Sequence, residues 1–415
     1  MLRIPILGPS PPDAAWSARC RGIAASLSAT LGVLGLGCGG ASSSAPSEMD
    51  ASQPGAGGGS DASAGSELPA SDASRDEDGA AETGAANALD GAIEASTGPE
   101  GGGAGCGGAL LGGGPTPTTS THLDIGVHDP SMIWDGARYY LFATGGTLGV
   151  RSSADLSSWS SAGNVFPSIP AWITTALGSN PGSLWAPDIS YYGGQFHVYY
   201  AGSSFGSNAS VIGLATSASL ASRAWVDQGL VVQSKTSDDF NAIDPSVTFD
   251  ASCTPWLAFG SFWSGIKLRK LDAATGKPAA DDATLYSLAS RNGGAIEAAS
   301  IISHGGYYYL FVSFDACCKG TSSTYRTMVG RATRITGPYT DKAGKDMMQG
   351  AAEQLLASKD RYIGPGGGTA WKDGDTYLYV YHYYDGDDGG ASKLQIRPVD
   401  FDSSDWITLG DSLFP

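Results

Sequence analysis

Four carboxylic acids stand in matching surroundings along this chain. Asp129 lies in His128-Asp129-Pro130-Ser131 and Asp188 in Ala186-Pro187-Asp188-Ile189. Asp244 lies in Asn241-Ala242-Ile243-Asp244-Pro245, and Glu297 in Ile296-Glu297-Ala298. Each is followed by a short run of strand-forming residues, a tight turn and a second run rich in Tyr, Phe and Trp. Acids gathered in one place raise one another's pKa, so one can hold a proton while another is ionised. Aromatic side chains offer flat apolar faces. Acids over an aromatic floor suit acid–base chemistry on a sugar.

Such acids meet only if the chain repeats. The turns after them are Asp135-Gly136, Gly193-Gly194, Asp250-Ala251-Ser252 and Gly305-Gly306. The second runs are 138–142, 195–200, 255–263 and 307–311. A degenerate fifth copy runs from Gly364 through Trp371, with Asp373-Gly374 and 376–382 behind it. Five copies at intervals of about 50–70 residues predict an all-β, five-bladed β-propeller of four-stranded blades. Segments 150–159, 212–220 and 330–339 read as third strands running into turns. Convincing long helical periodicity is absent. In a propeller the first strand of each blade lines the channel, so the four acids are expected around one depression.

The repeats occupy residues 116–415, and the preceding chain is different in kind. Arg19 and Arg21 precede an apolar run that ends at Cys38. Residues 1–38 are therefore expected to be a secretory signal, too short for a good spanning helix. The cysteine at its end resembles the lipidated residue of a bacterial lipoprotein, an anchor to a membrane; the alternative is an ordinary cleavage site beside a chance cysteine. Residues 39–115 are Ala, Gly, Ser and acids, 12 acids against Arg75. Such a segment buries too little apolar surface to offset its chain entropy, so a disordered linker is expected. The whole chain carries −17, of which −8 falls on residues 116–415. An acidic domain argues against nucleic acid as a partner. Nothing calls for more than a monomer.

Of six cysteines, Cys106, Cys253, Cys317 and Cys318 remain after Cys20 and Cys38. In an exported chain these could oxidise. Cys106 falls in the linker and looks a poor partner for the core, so buried thiols are expected. No His or Cys pair has zinc spacing.

Taken in order, His128–Ser131, Leu184–Ile189, Ser203–Ser207, Asn241–Pro245, Phe259–Lys267, Ala295–Ala298 and Tyr309–Cys318 resemble the arabinanases of glycoside hydrolase family 43. Ile335–Tyr339 and Tyr381–Asp385 extend the likeness, which covers residues 120–410. The resemblance implies a five-bladed propeller that hydrolyses internal α-1,5-L-arabinofuranosidic bonds of arabinan, with inversion. By the same resemblance Asp129 is the general base, Glu297 the general acid and Asp244 the carboxylate that orients the acid. Inversion implies a carboxyl separation of roughly 6.5–9.5 Å between base and acid. Asp188 is not catalytic in the family and is expected to fix loops.

Phe205, Gly206, Trp185, Asn241, Ala242, Ile243, Ser261, Phe262 and Trp263 are expected to form the substrate groove, while Trp134, Trp256 and Trp371 pack between blades. Many relatives hold a calcium ion in the channel with a His at the position of Gly367. The glycine puts that ion in doubt, with His382 either a replacement metal contact or a satisfied strand histidine. Exo-acting arabinanase, arabinofuranosidase and β-xylosidase are the neighbouring readings. A non-catalytic sugar-binding propeller is the reading from another class.

Overall fold

The structure, a computed structural model, describes residues 123–373 and 376–414 together with Cys106 and Gly114. The signal, Cys38, nearly all of the linker and the turn residue Gly374 lie outside the described residues.

Twenty strands form five antiparallel sheets of four. The first is β1 (Ser131–Trp134), β2 (Tyr139–Ala143), β3 (Gly149–Ser153) and β4 (Ser160–Asn164). The second is β5 (Trp185–Tyr192), β6 (Gln195–Gly202), β7 (Ser210–Ser217) and β8 (Val226–Ser234). The third is β9 (Ser246–Phe249), β10 (Pro255–Phe259), β11 (Ile266–Lys270) and β12 (Tyr286–Ala289). The fourth is β13 (Ile296–His304), β14 (Tyr307–Phe314), β15 (Arg326–Ala332) and β16 (Glu353–Leu356). The fifth is β17 (Tyr362–Asp373), β18 (Thr376–Asp385), β19 (Ala391–Phe401) and β20 (Ile407–Leu409). The first strands touch in a closed ring, β1 to β5, β9, β13, β17 and back to β1. This is the five-bladed propeller; β3 and β7 fall where the sequence places third strands, whereas β15 begins four residues ahead of the expected 330–339.

Local chemistry explains the hairpins. At Gly193-Gly194 φ is 57° and 78°, and at Gly305-Gly306 it is 56° and 80°. Two successive left-handed residues are what a type I′ turn needs, and its twist matches that of the strands. The Asp250 carboxylate instead accepts from the N–H groups of Ser252 and Thr254. Both faces of the inner strands are covered, so a segment such as Tyr139–Ala143 is continuously apolar rather than alternating.

Five apolar clusters fill the five junctions between neighbouring blades. Trp134 lies in the cluster between the first and fifth blades, with Trp371 packed against it, and Trp256 lies between the third and fourth. A large apolar side chain sealed there, such as Leu257 or Phe311, contributes about 1.5–3 kcal/mol. The single α-helix among the described residues, α1 (Ala171–Leu177), buries Ile173 between the first two blades.

Among the described residues no strand is shared between the first and last blades. Gly126 pairs with Lys393, Leu394 N–H donates to Ile125 O, and Gln395 Nε2 donates to Phe414 O. Both ends of the domain are thus fastened to β19.

The cysteines depart from expectation. Cys106 is bonded to Cys253 in the β9–β10 turn, and Cys317 is bonded to Cys318. A covalent bond needs no apolar surface, so the polar composition around Cys106 does not exclude it from pairing.

Candidate active site

Each blade places a left-handed residue on the channel in or just before its first strand: Asp129 (φ 46°), Ala186 (40°), Asp244 (55°), Ala298 (54°) and Gly367 (56°). These five line a small open cavity on the channel. Outside glycine the conformation costs about 1–2 kcal/mol per residue. Side chains hold four of these backbones by their N–H groups. Asp129 donates to His382 Nδ1 (3.1 Å), Ala186 to Thr144 Oγ1 (2.7 Å), Ala298 to Asp244 Oδ2 (3.1 Å) and Gly367 to Ser313 Oγ (2.9 Å).

The repeat register therefore differs from the one inferred from sequence. Asp129 and Asp244 are equivalent, but Glu297 lies one residue before the repeated point and Asp188 two after it. The pairing of the first two strands shifts between Trp185 and Asp188 and between Glu297 and Ser300. Such bulges add residues that a count along the chain cannot see. The expected ring of four acids is corrected to a group of three. Asp188 faces a second, deeper cavity and takes hydrogen bonds from Val247 N–H (2.9 Å) and Ser131 Oγ (3.5 Å). It ties three blades together, as a structural residue should.

Asp129 is surrounded by donors. Its Oδ2 accepts from His128 Nδ1 (2.8 Å) and from Thr144 Oγ1 (2.7 Å). Burial alone would raise its pKa, but the charge and hydrogen bond of His128 and the Thr144 hydroxyl outweigh burial and hold it at about 2. Burial lowers the pKa of His128, yet Asp129 and Glu297 carry it above the ordinary value. Its Nε2 is hydrogen-bonded to Tyr384 Oη (2.8 Å), which also accepts from Cys318 N–H (2.7 Å). Asp129 is held as a carboxylate.

Glu297 and Asp244 behave in the opposite way. Glu297 is 8% exposed; Ser261 Oγ donates to its Oε2 (2.6 Å) and Tyr325 Oη to its Oε1. Burial, assisted by Asp129, raises its pKa. Burial and the charges of Glu297 and Asp129 raise Asp244 as well. Two buried carboxyls in contact with each other's field do not both ionise readily, so the pair keeps a proton. One wall is charged and the other protonated.

The predicted groove residues divide. Phe205 is 80% exposed and its ring lies 5.0 Å from that of Trp185. Phe262 and Trp263 (φ 50° and 36°) follow Ser261, and Phe262 N–H is anchored on Ile296 O, beside Glu297. Gly206 is exposed next to Phe205. Asn241 is buried and its Oδ1 accepts from Ser210 Oγ (2.6 Å). Ala242 does not face a groove: it is fully buried with Leu257 and Phe259, and its N–H donates to Ser234 Oγ. Ile243 is buried as well. Adjacency to Asp244 in the chain suggests those contacts, but both side chains are buried. Sequence reasoning passed over Thr144, Tyr325 and Tyr384, which lie 15, 28 and 255 residues from the acids they serve and carry no local signature.

His128, Asp129 and His382 place donor atoms within 4.8 Å of one another. His382 is fully buried and stacked on His128 at 3.8 Å. Its Nδ1 accepts from Asp129 N–H, and burial keeps the ring neutral, so Nε2 carries the proton; no protein atom among the described residues accepts it. Calcium takes six to eight oxygen ligands. One engaged carboxylate and an imidazole without a free lone pair do not fit direct ligation. Nor is there room for a side chain at 367: a Cβ on Gly367 would lie 2.4 Å from His382 Cε1 and 2.5 Å from Asp129 Oδ1.

Known proteins resemble this chain in sequence and fold. The Glycosyl hydrolases family 43 profile matches residues 123–407. A Bacillus subtilis protein named extracellular endo-α-(1→5)-L-arabinanase 1 is 46% identical over 286 residues, which is 68% of this chain and 86% of the relative. An extracellular exo-α-(1→5)-L-arabinofuranosidase of Cellvibrio japonicus is 39% identical over 299 residues, 68% of this chain and 86% of the relative. Among solved structures, an endo-arabinanase from Bacillus licheniformis superimposes with a TM-score of 0.66 at 48% identity, covering 70% of this chain and 99% of that one. With a family profile that matches residues 123–407 and takes in every acid of the site, the chain belongs to glycosyl hydrolase family 43.

Proposed function

We propose that this protein hydrolyses internal α-1,5-linked bonds of arabinan with inversion. The observation that carries the reading is the split in protonation across one site. Asp129 is held ionised by His128, whereas burial raises both Glu297 and Asp244, so that this pair retains a proton between them. Inverting hydrolysis needs those two states at one pH. Asp129 is the base that takes a proton from the attacking water, Glu297 the acid that protonates the leaving oxygen, and Asp244 the neighbour that keeps Glu297 protonated. Trp185, Phe205, Phe262 and Trp263 are the aromatic surface on which arabinose rings lie. The endo mode follows the endo-arabinanase relatives; an exo-1,5-α-L-arabinanase from a bovine ruminal library, alike at 41% identity and TM-score 0.66, keeps chain-end attack as the second reading.

The test is the product pattern from linear α-1,5-arabinan. An early ladder of short oligosaccharides, lost in Glu297→Ala, is expected. A single small product from the start would select the exo reading. Reducing-end release unchanged in the variant would remove Glu297 from the acid role.

Export is proposed from the Arg19–Cys38 segment and from the relatives named extracellular. Lipid attachment at Cys38 is tested by metabolic labelling with a fatty acid and its loss in Cys38→Ser. Calcium in the channel is proposed only as a water-mediated guest with no step of its own. Titration with CaCl2 should give equal heats for the wild type and His382→Ala; a heat lost in the variant would return the imidazole to the ligand set.

A further inference from the structure

We propose that Tyr325 is a positioning residue for proton delivery, holding Glu297 Oε1 as an acceptor so that Oε2 carries the transferred proton. The proposal rests on the reading of Glu297 as the acid. Tyr325 is buried at the start of β15, and its hydroxyl meets Glu297 Oε1. The surrounding acids and burial keep the phenol protonated far beyond neutral pH, so toward a carboxylate it is a constant donor.

The ring is fixed from two sides. Thr324 N–H donates to Ala316 O, and Arg326 Nε pairs with Asp315 (2.7 Å). Gly366 leaves the space the ring fills: a Cβ there would come within 2.7 Å of Tyr325 Cδ2. Ser261, the donor at Oε2, is a hydroxyl rotor that can turn as that oxygen gains or loses its proton.

The step balances. As the glycosidic C–O bond breaks, its electron pair stays on the leaving oxygen, which takes the proton from Oε2. Water bonds to the anomeric carbon and gives its proton to Asp129. The new Glu297 carboxylate then accepts from both Tyr325 and Ser261. Charged or titratable groups facing it are Asp244, Asp129 and His128, with His382 neutral beside Tyr325.

Tyr325→Phe removes one oxygen and keeps the ring. On linear arabinan kcat should fall about tenfold or more with KM within about twofold, because acid assistance and not binding is lost. On a 4-nitrophenyl α-arabino-oligosaccharide, whose leaving group needs little protonation, the loss should be under about threefold. The alkaline limb of kcat/KM should move to higher pH, since a bond that favours the carboxylate is gone. Equal losses on the two substrates, or an unmoved limb, would overturn the proposal. Glu297→Gln on the same pair separates the underlying reading: large loss on arabinan with aryl cleavage kept supports Glu297 as the acid, while retained arabinan hydrolysis removes that reading and this one with it.

Discussion

Asp129 and His128 are neighbours in sequence and partners in space, with the left-handed backbone at Asp129 allowing its carboxylate to turn back onto the imidazole. The consequence is a base that is ionised across the whole useful range, since its pKa is about 2. Replacing His128 by Gln keeps a donor near Oδ2 but removes the charge. Burial then acts without its opponent, and the carboxylate pKa rises. The acid limb of kcat/KM should move up by about one pH unit or more, each unit being about 1.4 kcal/mol of lost preference for the charged form. Acid stability moves in the same sense: the stabilisation Asp129 gives at neutral pH, lost in the wild type as pH falls from about 4 to about 2, should be smaller in the variant. A pH–rate profile that superimposes on the wild type would mean that His128 does not supply the counter-charge.

At the scale of the elements, the strands were legible and their starting points were not. Short runs of strand-forming apolar residues between Gly and Asp turns suffice to place five hairpins, because both faces of each inner hairpin are buried. The bulges at the mouths of β5, β13 and β17 have no such signature, so Asp188 and Glu297 read as equivalents of Asp129 and Asp244 although the backbone offsets them. Long-range packing is equally invisible to a local pattern: Ala242 is buried with Leu257 and Phe259, and Gly367 lies against the His382 ring.

Asp188 makes the offset measurable. Buried between three blades, it is pushed up to about 7 by desolvation, against the opposing pull of Val247 N–H and the Ser131 and Ser246 hydroxyls. A carboxyl whose pKa is raised on folding costs stability as pH rises from its unfolded value near 4 to its folded value near 7, here at most about 4 kcal/mol. Asp188→Asn fixes the neutral form and keeps an acceptor for Val247 N–H. It should melt like the wild type near pH 4 and several degrees higher above pH 7, with activity on arabinan retained. A melting difference that does not change with pH would show that Asp188 is not held protonated by the fold.

For the whole molecule the question is how a ring without a shared strand is kept closed. Five apolar junctions of similar construction hold the blades, and β19 receives both ends of the domain. The Cys106–Cys253 bond adds a fastening of a different kind, joining the chain ahead of the first blade to a turn of the third across 147 residues. Its cysteines were visible in the sequence, but pairing depends on where the ends of the chain come to lie, which no local pattern encodes. Cross-linking so long a loop restricts the unfolded chain more than the folded one and is worth about 2–5 kcal/mol. The bonded turn lies at the far end of β9 and β10 from Asp244 and Ser261, so the catalytic acids should not sense its loss. Cys106→Ser with Cys253→Ser should therefore lower the melting temperature by several degrees, leave kcat and KM on arabinan unchanged, and make unfolding of the first three blades faster. A double variant as stable as the parent would mean that the unfolded chain is already held compact by other contacts, and that closure of the ring rests on the blade junctions and β19 alone.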